Sequence, residues 1–382
     1  MKRIAIFCDG TWNHADARHA TNVVKLGQAL DLTGADGTFQ QLIYVEGVGT
    51  GQGASQLSRM IDRIGGGAFG WGLNARIMAA CQALAFSFVP GDEIYIFGFS
   101  RGAYTARSLA GLLRSSALPP RERIDRLPEG MKRYRLRSDT SHPNSQESFE
   151  FRYRMNPALH TSAEEADWRD ANGLLRGQML NIAYLGVWDT VGALGVPAVF
   201  GGLSKLFNRQ YRFHDTDLSR SVLAARHAVA IDEHRKAFAP ALWDNLERLN
   251  QAAPDGQRPY RQDWFPGEHG AIGGGGDIVS LSNDPLVWIG EGAQRAGLSL
   301  DRRKLDDWRA DTDPLTPDLG NRTARRAGVL RWVTGLVRTH RKGPGDVRNV
   351  SRAARRRWQD MRPEYRPRTL SAVSDDLNRA AT

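Results

Sequence analysis

Three residues of this chain stand where chemistry could be done: a serine between glycines, an aspartate ending an apolar run, and a histidine before a glycine run. The first lies in Gly98-Phe99-Ser100-Arg101-Gly102, directly after Ile94-Tyr95-Ile96-Phe97 and directly before Ala103-Tyr104-Thr105. A serine so placed sits on a strand-to-helix turn too tight for side chains beside it, with its hydroxyl pushed out of the fold. The bland alternative is an ordinary turn, since glycine supplies 40 of the 382 residues. A hydroxyl becomes a useful nucleophile only when a base takes its proton and a third group fixes the tautomer of that base. In elbows of this kind the chain order is serine, acid, histidine.

Five of the nine histidines follow Ser100 at sufficient distance: His214, His227, His234, His269 and His340. His269 follows Trp264-Phe265-Pro266-Gly267-Glu268 and precedes a glycine run that ends at Gly276, a loop built for close approach. His227 and His234 read as structural residues in or beside an amphipathic helix, and His340 belongs to a basic segment. For the acid, Asp189 ends the run Ile182–Trp188 and so lies at a strand terminus, ahead of its competitors Asp232 and Asp277. The expected set is Ser100, Asp189 and His269, with an acyl-enzyme intermediate. Its oxyanion donors are the N–H of Arg101 and one from Gly10 or Thr11 in the loop after the first strand. Asp9 beside them would repel an oxyanion, so it reads as a loop cap, with cation binding as the alternative. The reading needs no cofactor and no metal.

Strand and helix signals alternate, which predicts a mostly parallel sheet with helices on both faces. Strands are expected at Arg3–Cys8, Gln41–Glu46, Glu93–Phe97, Asn181–Trp188 and up to Phe265, with helices at Asn22–Leu30, Leu73–Phe88, Ala103–Arg114, Leu218–Ile231 and Asp284–Ala296. The polar, proline-punctuated segment 115–177 breaks this rhythm and reads as a cap insertion over the carboxyl edge of the sheet. The apolar residues of 194–213 could wall a pocket. Gly65-x-Gly67-x-x-Gly70 imitates a dinucleotide fingerprint but follows a helical pattern, where the fingerprint requires a strand.

The chain divides on paper into a catalytic domain over 1–300 and a basic, partly helical segment over 301–382. Residues 321–370 hold fifteen Arg or Lys against three acids, and the whole chain carries +10, so this stretch carries the positive charge. It could meet lipid headgroups as a peripheral membrane contact, or be a solvated helical face. No pattern supports dedicated nucleic-acid binding. No apolar run reaches the roughly 20 residues of a membrane span. The basic start Met1-Lys2-Arg3 lacks a long apolar core and a cleavage site, and Cys8 and Cys81 lie in apolar segments. The default expectation is the cytoplasm, with leaderless secretion left open. Oligomeric state is not legible.

Six blocks carry a resemblance: Phe7-Cys-Asp-Gly-Thr-Trp-Asn13, Gly47-Val-Gly-Thr-Gly51, Gly98 to Arg107, Gly186-Val-Trp-Asp-Thr-Val-Gly192, Ala225-Arg-His-Ala228 with Ile231-Asp-Glu233, and Trp264 to His269. In this order they resemble the uncharacterised α/β-hydrolase domain family that includes the first class of type VI secretion lipase effectors. The resemblance implies an α/β-hydrolase fold, a Ser100–Asp189–His269 triad and esterase or phospholipase activity on acyl esters. One departure is the glycine run after His269, which stands where the family has a serine–aspartate pair. The rival readings are a hydrolase-like scaffold that binds a partner or an anionic surface, and an amidase or peptidase using the same triad.

Overall fold

Alternation along the strands decides the layering. In the computed structural model, which describes residues 1–10, 18–47, 66–136, 138–192, 217–254, 257–318, 339–361 and 364–379, the side chains of β1 (Arg3–Cys8) divide between two cores. Ile4, Ile6 and Cys8 face one side with Ile94, Ile96, Leu185 and Val187, whereas Ala5 and Phe7 face the other with Tyr95, Phe97, Tyr184 and Trp188. Burial on both faces is the mark of a parallel sheet covered by helices. The six strands run parallel in the order β2 (Gln40–Val45), β1, β3 (Glu93–Phe99), β6 (Ile182–Trp188), β7 (Ala225–Ala230), β8 (Tyr260–Phe265). The two-residue strands β4 (Leu159–His160) and β5 (Gln178–Met179) pair separately.

On one face lie α2 (Gly66–Ser87) and α3 (Arg101–Ser116), and on the other α1 (Asn22–Gln28). The strand order reverses at β1, so β1 and β3 border the switch point where α/β proteins place ligands, outside the strand carboxyl ends. Gly67 and Gly70 of the decoy fingerprint fall inside α2, whereas Gly65 lies outside the described residues, as does all of 194–213.

Two expectations are corrected. Residues 218–231 do not form a helix: Ala225–Ala230 is strand β7, paired to β6 and β8 and buried at all six positions. An alanine-rich run has helix propensity, yet a site between two parallel strands overrides it. The insertion at 115–177 does not roof the carboxyl edge. It folds into α4 (Leu127–Arg135), α5 (Gln146–Met155) and α6 (Ala163–Ala171) and grips the C-terminal end of α3. Arg152 donates to the Arg114 carbonyl at 3.2 Å and Asn156 to that of Leu118 at 2.8 Å. Because α3 runs back from the carboxyl end of β3, these contacts lie near the amino end of the sheet. The polar composition has its own use there, since Arg152 and Arg169 both pair with Glu165 at 2.7 Å in a fully buried triad.

The C-terminal segment also departs from a purely solvated face. In α11 (Arg352–Asp360; with α7 at Leu246–Gln251, α8 at His269–Gly273, α9 at Val279–Arg295 and α10 at Arg302–Ala310), Arg352 and Arg356 are exposed. Arg357 is buried, donating to the carbonyls of Pro314 and Thr316. Val350, Ala354, Trp358 and Leu370 pack on Val229, Ile231 and Trp264 of the β7–β8 edge. No helix among the described residues is long and apolar enough to cross a membrane.

Candidate active site

Ser100 caps α3 with φ 57° and ψ −120°, a conformation that a side-chain-bearing residue adopts only under constraint. Two glycines enforce it. A Cβ on Gly98 would lie 2.5 Å from the Gly102 carbonyl oxygen, and one on Gly102 would overlap the Cys8 carbonyl oxygen at the end of β1. The Gly-x-Ser-x-Gly pattern thus lets α3 start immediately against β1 and β3, with the Ser100 N–H held by the Trp188 carbonyl at 3.1 Å.

Asp189 follows β6 with φ 36°, its N–H donating to the Ala228 carbonyl at 2.7 Å. His269 opens α8. The turn before it is held by three carboxylates: Gly267 N–H donates to Asp232 at 2.7 Å, Glu268 N–H to Asp318 at 2.5 Å and His269 N–H to Glu233 at 3.3 Å. Gly267 supplies the φ of +111°. The glycine run that follows serves packing, since a Cβ on Gly273 would overlap the Phe99 ring. Phe99 and Phe238 lie on the imidazole at centroid distances of 4.8 and 4.7 Å.

These elements bring Ser100, His269 and Asp189 together. His269 Nε2 lies 2.8 Å from Ser100 Oγ, and Nδ1 lies 2.6 Å from Asp189 Oδ2. A carboxylate can only accept, so Nδ1 carries the proton and Nε2 offers its lone pair to the hydroxyl. That arrangement can activate the hydroxyl for attack on an acyl carbon. Asp189 is fully buried, while Ser100 and His269 are 6% exposed. Asp232, the competing acid, instead holds Gly267 and accepts from the Tyr365 hydroxyl, and Asp277 is exposed.

Of the residues expected to donate to an oxyanion, Arg101 opens α3, at the positive end of its dipole. The Gly10 N–H, however, donates to Asp9 Oδ1 at 2.6 Å, so in this arrangement Gly10 is not a donor to an oxyanion. Thr11 lies outside the described residues. Asp9 caps: besides Gly10 it accepts from the hydroxyls of Thr21 and Tyr44, each at 2.9 Å, tying the β1 loop to α1 and β2.

Sequence reasoning missed Arg341. This buried residue of the basic segment donates to Asp189 through both terminal nitrogens, at 2.6 and 2.9 Å. Burial alone would raise the Asp189 carboxyl; the Arg341 guanidinium, with the His269 hydrogen bond, holds it well below the usual carboxylate range. Nothing local distinguishes Arg341 from its fourteen basic neighbours in sequence.

His227 was expected on a helix and is found on β7. Its Nε2 accepts from the N–H of Thr190, next to Asp189, at 3.1 Å, and Nδ1 lies 3.0 Å from Gln262 Oε1. Burial, then Arg107, pushes this ring down to about 3. The unfolded chain binds that proton from about pH 6.5 downward and the folded one does not, so stability falls as pH drops through this window. Urea midpoints should decline from about pH 6.5 to 4, and His227→Gln should flatten that decline; an equal decline in the variant would contradict it. His234 and His340 stack edge to face at 5.1 Å, and His214 lies outside the described residues.

Residues 2–291 match the profile of the family described as T6SS, phospholipase effector Tle1-like, catalytic domain. The uncharacterized protein YEL023C of Saccharomyces cerevisiae is 28% identical over 248 residues, covering 62% of this chain and 32% of its own length. Among solved structures, an uncharacterized protein from Pseudomonas aeruginosa aligns at 16% identity over 81% of this chain and 47% of its own, with a TM-score of 0.42. The Tle1 effector bound to the VgrG spike of the type 6 secretion system aligns at 18% over 72% and 51%, with a TM-score of 0.34. The chain thus spans about a third of the yeast relative and about half of each solved chain.

Proposed function

This chain belongs to the family of Tle1-like phospholipase effectors through their catalytic domain, and on that premise we propose that it is a serine hydrolase of acyl esters, acting on phospholipids. The observation that carries the reading is the hydrogen-bonded run from Ser100 Oγ through His269 to Asp189, at 2.8 and 2.6 Å. Ser100 attacks the acyl carbonyl as His269 takes its proton, and His269 then protonates the leaving alcohol. Asp189 fixes the tautomer and stabilises the imidazolium. The Arg101 N–H holds the oxyanion, with Thr11 as the proposed second donor. Water, activated by His269, releases the fatty acid. The catalytic domain is taken as 1–300 and the C-terminal segment as 301–382, of which Val350, Ala354, Trp358 and Leu370 pack on the β7–β8 edge.

Phospholipid vesicles test the substrate class. Fatty acid should be released from zwitterionic vesicles, and faster from anionic ones because exposed Arg352 and Arg356 meet the headgroups. Release from soluble esters with none from vesicles would overturn the phospholipase reading, and equal rates on both vesicles would remove the membrane contact.

A further inference from the structure

The Asp189 carboxylate is saturated. Oδ1 accepts from Ala230 N–H at 2.9 Å and Arg341 Nη1 at 2.6 Å, and Oδ2 from His269 Nδ1 at 2.6 Å and Arg341 Nη2 at 2.9 Å. Two donors on each oxygen leave the group no rotation that keeps its bonds. Arg341 is itself anchored, donating to the Ala230 carbonyl at 2.9 Å and the Phe238 carbonyl at 2.5 Å. Phe238 in turn lies against the His269 ring. Neutral backbone donors could orient a carboxylate equally well. A guanidinium also offsets its charge.

We propose that Arg341 is a positioning residue of the active site, aiming Asp189 Oδ2 at His269 and moderating the pull of that carboxylate on the imidazolium. The inference rests on the Ser100–His269–Asp189 reading above. It also means that residues beyond the family-matched span 2–291 supply part of the site. The guanidinium offsets the Asp189 charge, so removing it changes the field at the Nδ1 proton. Among the described residues, the charged groups held against the His269 backbone or the turn before it are Glu233 with its partner Arg235, Glu268 within that turn, and Asp232 and Asp318, whose carboxylates accept from its N–H groups. All of them remain when Arg341 is changed.

The test is Arg341→Gln in the full chain, with kcat/KM on a short ester read across pH. The rate should fall about 10²-fold, and the acidic limb of the profile should move up by roughly one pH unit. Independently of activity, the low-field proton resonance of the His269 Nδ1–H should shift. A folded variant with the parent rate and limb overturns the proposal. So does a rate loss with limb and resonance unmoved, which is the behaviour of a merely structural residue. If the parent protein hydrolyses no ester, the resonance still reads the clamp while the functional reading fails. Should the Gln variant not fold, Arg341→Lys decides: a loss of about tenfold in kcat at constant KM supports the role, and the parent kcat overturns it.

Discussion

Ser100→Ala is expected to lower hydrolysis of short p-nitrophenyl esters by about 10⁶-fold in kcat, on the scale seen when the nucleophile of a serine–histidine–aspartate unit is removed. In the proposed mechanism the effect is large because His269 and Asp189 act through the atom that disappears. The fold should persist, because the variant loses one hydrogen bond, 2.8 Å long, worth about 1 kcal/mol. The strained backbone is held by Gly98, Gly102 and the Trp188 carbonyl, none of which is touched. A melting temperature within a few degrees of the parent, with rate lost, is the expected pair of results. Undiminished hydrolysis would place the chemistry elsewhere.

Asp189→Asn should cost about 10⁴-fold in kcat, because an amide can donate to the imidazole and so favours the wrong tautomer. Here a second cost follows. The substitution leaves the Arg341 guanidinium buried without its counter-charge, and breaking a buried pair from one side destabilises by about 3–5 kcal/mol. Combining it with Arg341→Met should recover part of the stability and none of the rate. A single variant that lost stability at full rate would leave Asp189 a structural residue only. The pH dependence of this pair is also defined. Because the folded Asp189 carboxyl lies below its unfolded value, the stability it contributes is present above the ordinary carboxylate range. It is lost progressively as pH falls from that range towards the folded value, while the folded carboxyl stays ionised, so the acidic limb of activity does not come from Asp189.

Local signals made much of this legible. The glycines flanking Ser100 state in the chain that a helix must start against two strand ends, and the order Ser100, Asp189, His269 follows the loops of one parallel sheet. What escaped is information carried by packing. Ala225–Ala230 has helical composition and becomes a strand because β6 and β8 enclose it. Segment 115–177 reads as a roof because it is polar, yet its described charged residues are at least partly in solvent or, as Arg152, Glu165 and Arg169, paired in a buried group that grips the end of α3. Arg341 lies 152 residues from Asp189 in a run of similar arginines, so only the fold separates it from Arg352 and Arg356, which stay in solvent. Gly10 sits in the expected loop, yet its N–H turns to the neighbouring Asp9.

Ser100 is proposed as a nucleophile activated by His269. Reaction of the folded chain with a fluorophosphonate, followed by peptide mass analysis, tests it without any choice of substrate. One phosphonyl group should attach at Ser100, none in Ser100→Ala, with much slower attachment in a folded His269→Ala. A folded parent protein that takes no label, or takes it at another residue, would contradict that role for Ser100.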